Sequence, residues 1–152
     1  MQCDVPHDEA VALLAIPSVC EDATEWGATK ERSWYQYIEQ GLLREDGTRA
    51  GLVMKIEYSS TPKTGRETMQ FSIYKSRLGG LSRMYQLTID KFRKPIKDKH
   101  KLPHEHIGDL KRYKEEWLYW SFEQAMAHFC KETSLTIRPP IGNPTQLRLT
   151  AS

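Results

Sequence analysis

The residues predict an α+β domain: an antiparallel β-meander of four to five strands, with a short N-terminal helix and a C-terminal helix packed on the sheet. Three observations carry this reading. Apolar and polar residues alternate along Leu52-Met54-Ile56-Tyr58, Met69-Phe71-Ile73 and Tyr85-Leu87-Ile89, the period of strands with one buried face. Asp46-Gly47 precedes the first run and Gly79-Gly80 lies between the second and third. Both are hairpin signals, and such short links exclude the long crossover that parallel strands require. Ser121-Phe122-Glu123-Gln124 has the capping-box pattern and opens an apolar stripe of Phe122, Ala125, Met126, Phe129 and Cys130, as expected of a helix seated on a sheet.

Taken in order, the first element is a helix over 8–16. Ala10, Val11, Leu13 and Leu14 supply its body, and Asp8 and Glu9 suit the positive end of its dipole. Pro17 ends it, because the residue before a proline avoids the α region. Residues 17–32 read as an irregular connection, with Trp26 anchoring it to the core. Trp34, Tyr35, Tyr37 and Ile38 favour a strand, although Trp34, Ile38 and Leu42 also recur at helical spacing. Residues 59–65 are loop by composition, and so is the charged, two-proline stretch 91–103. Residues 104–109 read as a short final strand or turn. Leu110, Tyr113, Trp117 and Trp120 are spaced like a helix face, which leaves open a helix beginning before Ser121. The C-terminal helix is expected to reach about Lys131, and the tail from Arg138-Pro139-Pro140 to be extended.

At 152 residues, with 28% charged and 39% hydrophobic side chains, the chain reads as one domain over 1–152. It is large enough to fold without a metal or a disulfide. There is no apolar run of membrane-spanning length, and MQCDVPHDEA lacks the plan of a signal peptide. A cytoplasmic protein without membrane association is expected. Cys3, Cys20 and Cys130 are widely spaced and odd in number, which points to ordinary thiols and away from a zinc cluster or disulfide framework. No cofactor is expected: phosphate-binding glycine loops, the GxSxG elbow and the DxDxDG calcium loop are all missing from the sequence.

The net charge of +2 conceals an asymmetry. Residues 75–114 hold twelve Lys or Arg against four Asp or Glu, a charge of +8, while residues 1–74 hold seven against twelve, a charge of −5. Lys91, Arg93, Lys94, Lys97, Lys99 and Lys101 are dense enough to meet several phosphates. Tyr74, Tyr85 and Phe92 lie near them in sequence as candidate stacking partners. An acidic protein surface is the competing partner for the same charge.

The candidate chemistry lies in His100-Lys101-Leu102-Pro103-His104-Glu105-His106. On an extended chain His104 and His106 share one face and Glu105 takes the other. Three readings stay open. The pair acts as general acid and base on a phosphodiester. Or it holds a metal completed by His100, Asp109 or His128. Or it packs over the helix end and bonds the backbone. His7 is expected to be exposed, and His128 to lie on the wet side of its helix.

The alternating strands, then Pro103-His104-Glu105-His106-Ile107-Gly108-Asp109, then Trp120-Ser121-Phe122-Glu123-Gln124-Ala125, resemble the TumE-type toxins of bacterial toxin–antitoxin pairs. Those proteins carry an HxHIG step before a final helix. Residues 8–26 and Phe129-Cys130 through Thr136-Ile137-Arg138-Pro139-Pro140-Ile141 are similar to an uncharacterised family of phage- and prophage-associated proteins. Both resemblances imply a mobile genetic element and a role in phage–host conflict. One expectation is a non-enzymatic, anti-CRISPR-like inhibitor that binds a host defence protein or nucleoprotein, with nucleic acid contact through residues 91–101. The alternative is a toxin that acts on nucleic acid through His104 and His106.

Overall fold

A computed structural model describes residues 3–23, 25–28, 34–61, 63, 65–91 and 102–144. The elements run β1 (Cys3–Asp4), α1 (His7–Leu14), β2 (Ser18–Glu21), β3 (Gly27–Ala28), β4 (Tyr35–Leu43), β5 (Arg49–Thr61), β6 (Arg66–Arg77), β7 (Gly80–Lys91), β8 (His104–Ile107), β9 (Leu110–Tyr113), α2 (Phe122–Thr133) and β10 (Leu135–Arg138). All the strands join one sheet, in the order β10-β2-β4-β5-β6-β7-β8-β9, with β1 beside β7 and β3 beside β4. The class is α+β and the sheet is mostly antiparallel, as expected, but the described residues form ten strands where four to five were expected.

The meander β4–β7 follows the alternation. Met54, Ile56, Phe71, Ile73, Leu87 and Ile89 are buried on one face. The first hairpin turns at Asp46-Gly47, where Arg44 N–H donates to Thr48 O at 2.7 Å and Gly47 takes φ +88°. That left-handed conformation is open to glycine at little cost. Both helices pack on the apolar face. Ala10 and Leu14 of α1 join the core. Along α2, Phe122 and Phe129 meet Phe71 at centroid distances of 5.7 and 5.5 Å, and Phe129 meets Tyr85 at 5.8 Å. Burying each such ring stabilises the fold by roughly 1.5–3 kcal/mol. Ser121 caps α2 with the complete capping box, so the helix begins there and not earlier.

Several differences from the sequence reading have identifiable causes. The connection 17–32 contains β2, which pairs in parallel with β10 through Ser18↔Leu135 to Glu21↔Arg138. A four-residue strand that is buried at Ser18, Val19 and Cys20 carries no alternation to read. Trp26 anchors this region as expected, its indole N–H donating to Gly142 O at 3.0 Å and its ring meeting Phe122 edge-on. Tyr35–Leu43 is strand throughout, paired with β5 from Tyr35↔Ser59 to Leu43↔Arg49. Residues 110–120 form β9 and a 3₁₀ turn at Glu115–Trp117 instead of a helix. Their apolar residues serve two different structures: Leu110 is exposed on the sheet edge, while Trp117 is buried. In the tail, Ser134 adopts a left-handed conformation (φ +53°) and turns α2 directly into β10.

Candidate functional site

The two faces of β8 carry the chemistry, and the pleat separates them as the sequence predicts. Leu87↔Glu105 and Tyr85↔Ile107 meet on the apolar side, and Thr88↔His104 and Gln86↔His106 on the other. Register extends the second face across six strands. One row reads Tyr37, Glu57, Gln70, Thr88, His104, Tyr113, and the next reads Glu39, Lys55, Ser72, Gln86, His106, Lys111. No described helix covers this face.

Its side chains are tied laterally. Tyr35 O–H donates to Glu57 at 2.6 Å, Gln70 donates to Glu57 at 2.8 Å, and Thr88 donates to Gln70 at 3.3 Å. In the next row Gln86 donates to Ser72 at 3.1 Å and accepts from Arg83 at 3.1 Å. Arg83 reaches this face because of a bulge. Ile73 pairs with Tyr85 but Tyr74 pairs with Arg83, so Met84 is the extra residue. An unbroken strand would place Arg83 and Tyr85 on the same side. Arg83 also grips Asp4 with two bonds, of 3.0 and 2.9 Å.

The histidines are half-buried, with ring centroids 5.5 Å apart. His104 Nδ1 lies 3.1 Å from Leu102 O. The pair is a hydrogen bond only with the proton on Nδ1, which leaves Nε2 with the lone pair. Burial lowers the pKa of His104, and Lys111 and Arg83 push the same way against the bond to Leu102 and the charge of Asp90. His106 is lowered to about 4, by burial first and then by Arg83, His104 and Lys111, with Asp4 opposing. At neutral pH His106 is therefore an uncharged imidazole and not a proton donor of the imidazolium type. The groups considered above as completing a metal site do not converge on the pair. Asp109 accepts from the backbone N–H of His7 at 2.9 Å, His128 serves the opposite face, and His100 lies outside the described residues. Among the described residues no group of three or more His, Cys, Asp or Glu is placed to hold a metal ion.

Glu105, on the apolar side, is fully buried and saturated. Its Oε1 accepts from Arg112 Nε at 2.8 Å and Nη2 at 2.6 Å, and its Oε2 lies 2.7 Å from His128 Nε2 and accepts from Tyr85 O–H. Burial raises its pKa, but the bonds from His128, Tyr85 and Arg112, with the charge of Arg112, outweigh burial and hold it below the ordinary carboxylate value. The Tyr85 hydroxyl is pushed up, by burial and then by Glu105. His128 sits against the stacked Trp117 and Trp120 rings, at 4.9 and 5.1 Å. It is not the wet residue expected: its side chain is 17% exposed and directed inward. Sequence periodicity missed it because α2 buries a stripe against the sheet and a second flank against the Trp117–Trp120 turn. His7 is likewise half-buried, its Nδ1 3.0 Å from Ile107 O.

Of the basic candidates, Lys91 ends β7 and pairs with Glu67 at 3.7 Å; Arg93, Lys94, Lys97, Lys99 and Lys101 lie outside the described residues. Elsewhere in 75–114 the described cations are largely neutralised. Lys75 pairs with Glu9, Arg83 with Asp4, Arg112 with Glu105, and Lys114 with Glu116 at 4.0 Å. Three of these carboxylates, Asp4, Glu9 and Glu67, come from the acidic N-terminal portion. Arg77, at the end of β6, and Lys111 have no carboxylate partner among the described residues; Lys111 is exposed and held 4.9 Å from the Tyr113 ring centroid. The thiols of Cys20 and Cys130 are pushed up to about 11 by burial, which leaves them protonated and unreactive at neutral pH. No helix among the described residues is long and apolar enough to cross a membrane. Compared with protein-family models, curated proteins and solved structures, the chain matches none.

Proposed function

We propose that this is a mobile-element protein of phage–host conflict: a cytoplasmic, non-enzymatic, anti-CRISPR-like inhibitor that binds a host defence nucleoprotein. The observation that supports binding over catalysis is the chemistry of the helix-free face. His104, His106, Lys111 and Arg83 gather there as hydrogen-bonding and positive groups. A histidine pair that cleaves a phosphodiester needs one base and one acid. Here both members are held below the usual imidazole pKa, and the one carboxylate between them, Glu105, points to the opposite face and is fully engaged. That chemistry favours recognition and weighs against the toxin alternative.

Reversing the charges of Lys91, Arg93, Lys94 and Lys97 is expected to abolish capture of the nucleoprotein and to flatten its salt dependence. Each lost phosphate contact removes roughly 0.9 from the slope of log affinity against log salt on duplex DNA. An unchanged affinity and slope would remove the role of this stretch. The His104→Ala, His106→Ala double variant separates the two readings. Loss of biological activity with folding and partner binding retained would overturn the binder and leave the toxin.

A further inference from the structure

The outer face contains a smaller feature that the binding reading does not by itself require. Lys111 and His106 are cross-strand partners on β9 and β8, and His106 faces Gln86 on β7. Gln86 is fixed from both sides, by Ser72 and by Arg83. Lys111 is steered by the Tyr113 ring. Neither ring nitrogen of His106 has a hydrogen-bond partner among the described residues, and His104 Nε2 also has none. Two cations, Lys111 and Arg83, thus act on a His106 ring whose nitrogens have no hydrogen-bond partner among the described residues.

We propose that Lys111 and His106, with Arg83 as a fixed positive neighbour, form a binding site for a nucleic-acid phosphodiester. The inference rests on the binding reading above and names the ligand chemistry of its helix-free face. The donors are the Lys111 ammonium and the His106 ring; Arg83 contributes its field, since three of its five N–H groups already bond Asp4 and Gln86. A phosphodiester is named over a lone carboxylate because the partner proposed above is a nucleoprotein. The charged and titratable groups that face His106 are Arg83 on β7, Asp4 on β1, His104 on β8 and Lys111 on β9. Burial first, and then Arg83, His104 and Lys111, keep His106 neutral when the site is empty, and a phosphate beside the ring offsets the cationic part. Binding therefore draws a proton onto the ring, and affinity rises as pH falls.

The test uses the full chain and hexathymidylate, whose phosphodiester charge is constant over the range used. Affinity is expected to be about tenfold tighter near pH 5.5 than near pH 8, the gain if a bound phosphate returns the His106 pKa from about 4 to the ordinary imidazole value of 6.5. The His106 Cε1–H resonance should titrate at higher pH in the complex, while those of His7 and His128 stay in place. His106→Gln should remove the pH dependence, and Lys111→Glu, on an exposed edge, should weaken binding at least about tenfold without loss of fold. An unshifted His106 resonance, an unaffected Lys111→Glu variant, or equal binding of poly-glutamate would each overturn the site. Saturation by inorganic phosphate at the affinity of the hexamer would assign it to free anions and overturn its nucleic-acid character. If hexamer binding fails while nucleoprotein capture persists, the phosphodiester inference falls and the binder reading stands. If capture also fails, both fall.

Discussion

One four-residue strand, His104–Ile107, presents two environments of opposite kind. On the apolar side Glu105 is withdrawn from solvent, and both its oxygens are occupied by groups from β7, β9 and α2. On the other side the histidines keep open nitrogens beside a cation with no carboxylate partner among the described residues. A buried carboxylate with complete hydrogen bonding has no capacity left for a ligand; its consequence is mechanical, tying helix to sheet edge. The half-buried imidazoles keep nitrogens without a partner among the described residues, and those remain available to a ligand. The most perturbed group in a fold is thus not automatically its working site.

The largest test of this contrast is Glu105→Ala. Removing one partner from a buried ion pair leaves the others unsatisfied and costs about 3–5 kcal/mol. The Tyr85 hydroxyl and His128 would lose their acceptor, while Arg112, 45% exposed, is rescued by water. Urea denaturation should show this loss, whereas the His104→Ala, His106→Ala double variant should stay within about 0.5 kcal/mol of the parent at neutral pH. Comparable losses on the two faces would erase the distinction. Tyr85→Phe comes next. It keeps the ring packed on Phe129 and deletes one bond to a charged acceptor, for about 1.5–3 kcal/mol. A loss below about 0.5 kcal/mol would mean that the other donors already satisfy Glu105.

Much of this contrast was legible in the residues, and the remainder depended on long-range pairing. The pleat alone assigns His104 and His106 to one face and Glu105 to the other, and alternation identifies the meander. Nothing local announces that Arg112, seven residues along, folds back across a hairpin, or that His128 arrives from a helix 23 residues away. The bulge at Met84 was equally silent, and it is what brings Arg83 onto the histidine face. Gly108 marks a different limit. It holds φ +60°, and a Cβ there would lie 2.9 Å from the backbone of His7, a clash that only the docked N-terminal segment creates. Short strands such as β2 and β10 are fixed by each other and not by their own pattern.

The smallest effect separates the two faces by proton linkage. Both groups titrate lower in the folded protein than in the unfolded chain, so both lose stabilisation on acidification, but in different windows. For His106 the unfolded pKa is near the ordinary 6.5 and the folded value about 4. The unfolded state therefore binds more protons across that interval, and stability falls as pH drops through it, then levels off. For Glu105 the folded pKa lies below the ordinary carboxylate value of 4.5, so its contribution is fully present above that value and is lost only as pH falls through the lowered folded pKa. Melting temperature followed from about pH 8 to about pH 3 should decline in two stages. His106→Gln should shrink the upper stage to the part contributed by His104, leaving the lower one intact, and Glu105→Gln should lower the whole curve while weakening its acid limb. If His106→Gln leaves the upper stage unchanged, the ring is not held neutral by its cationic neighbours, and the outer face loses the property that links it to anion binding.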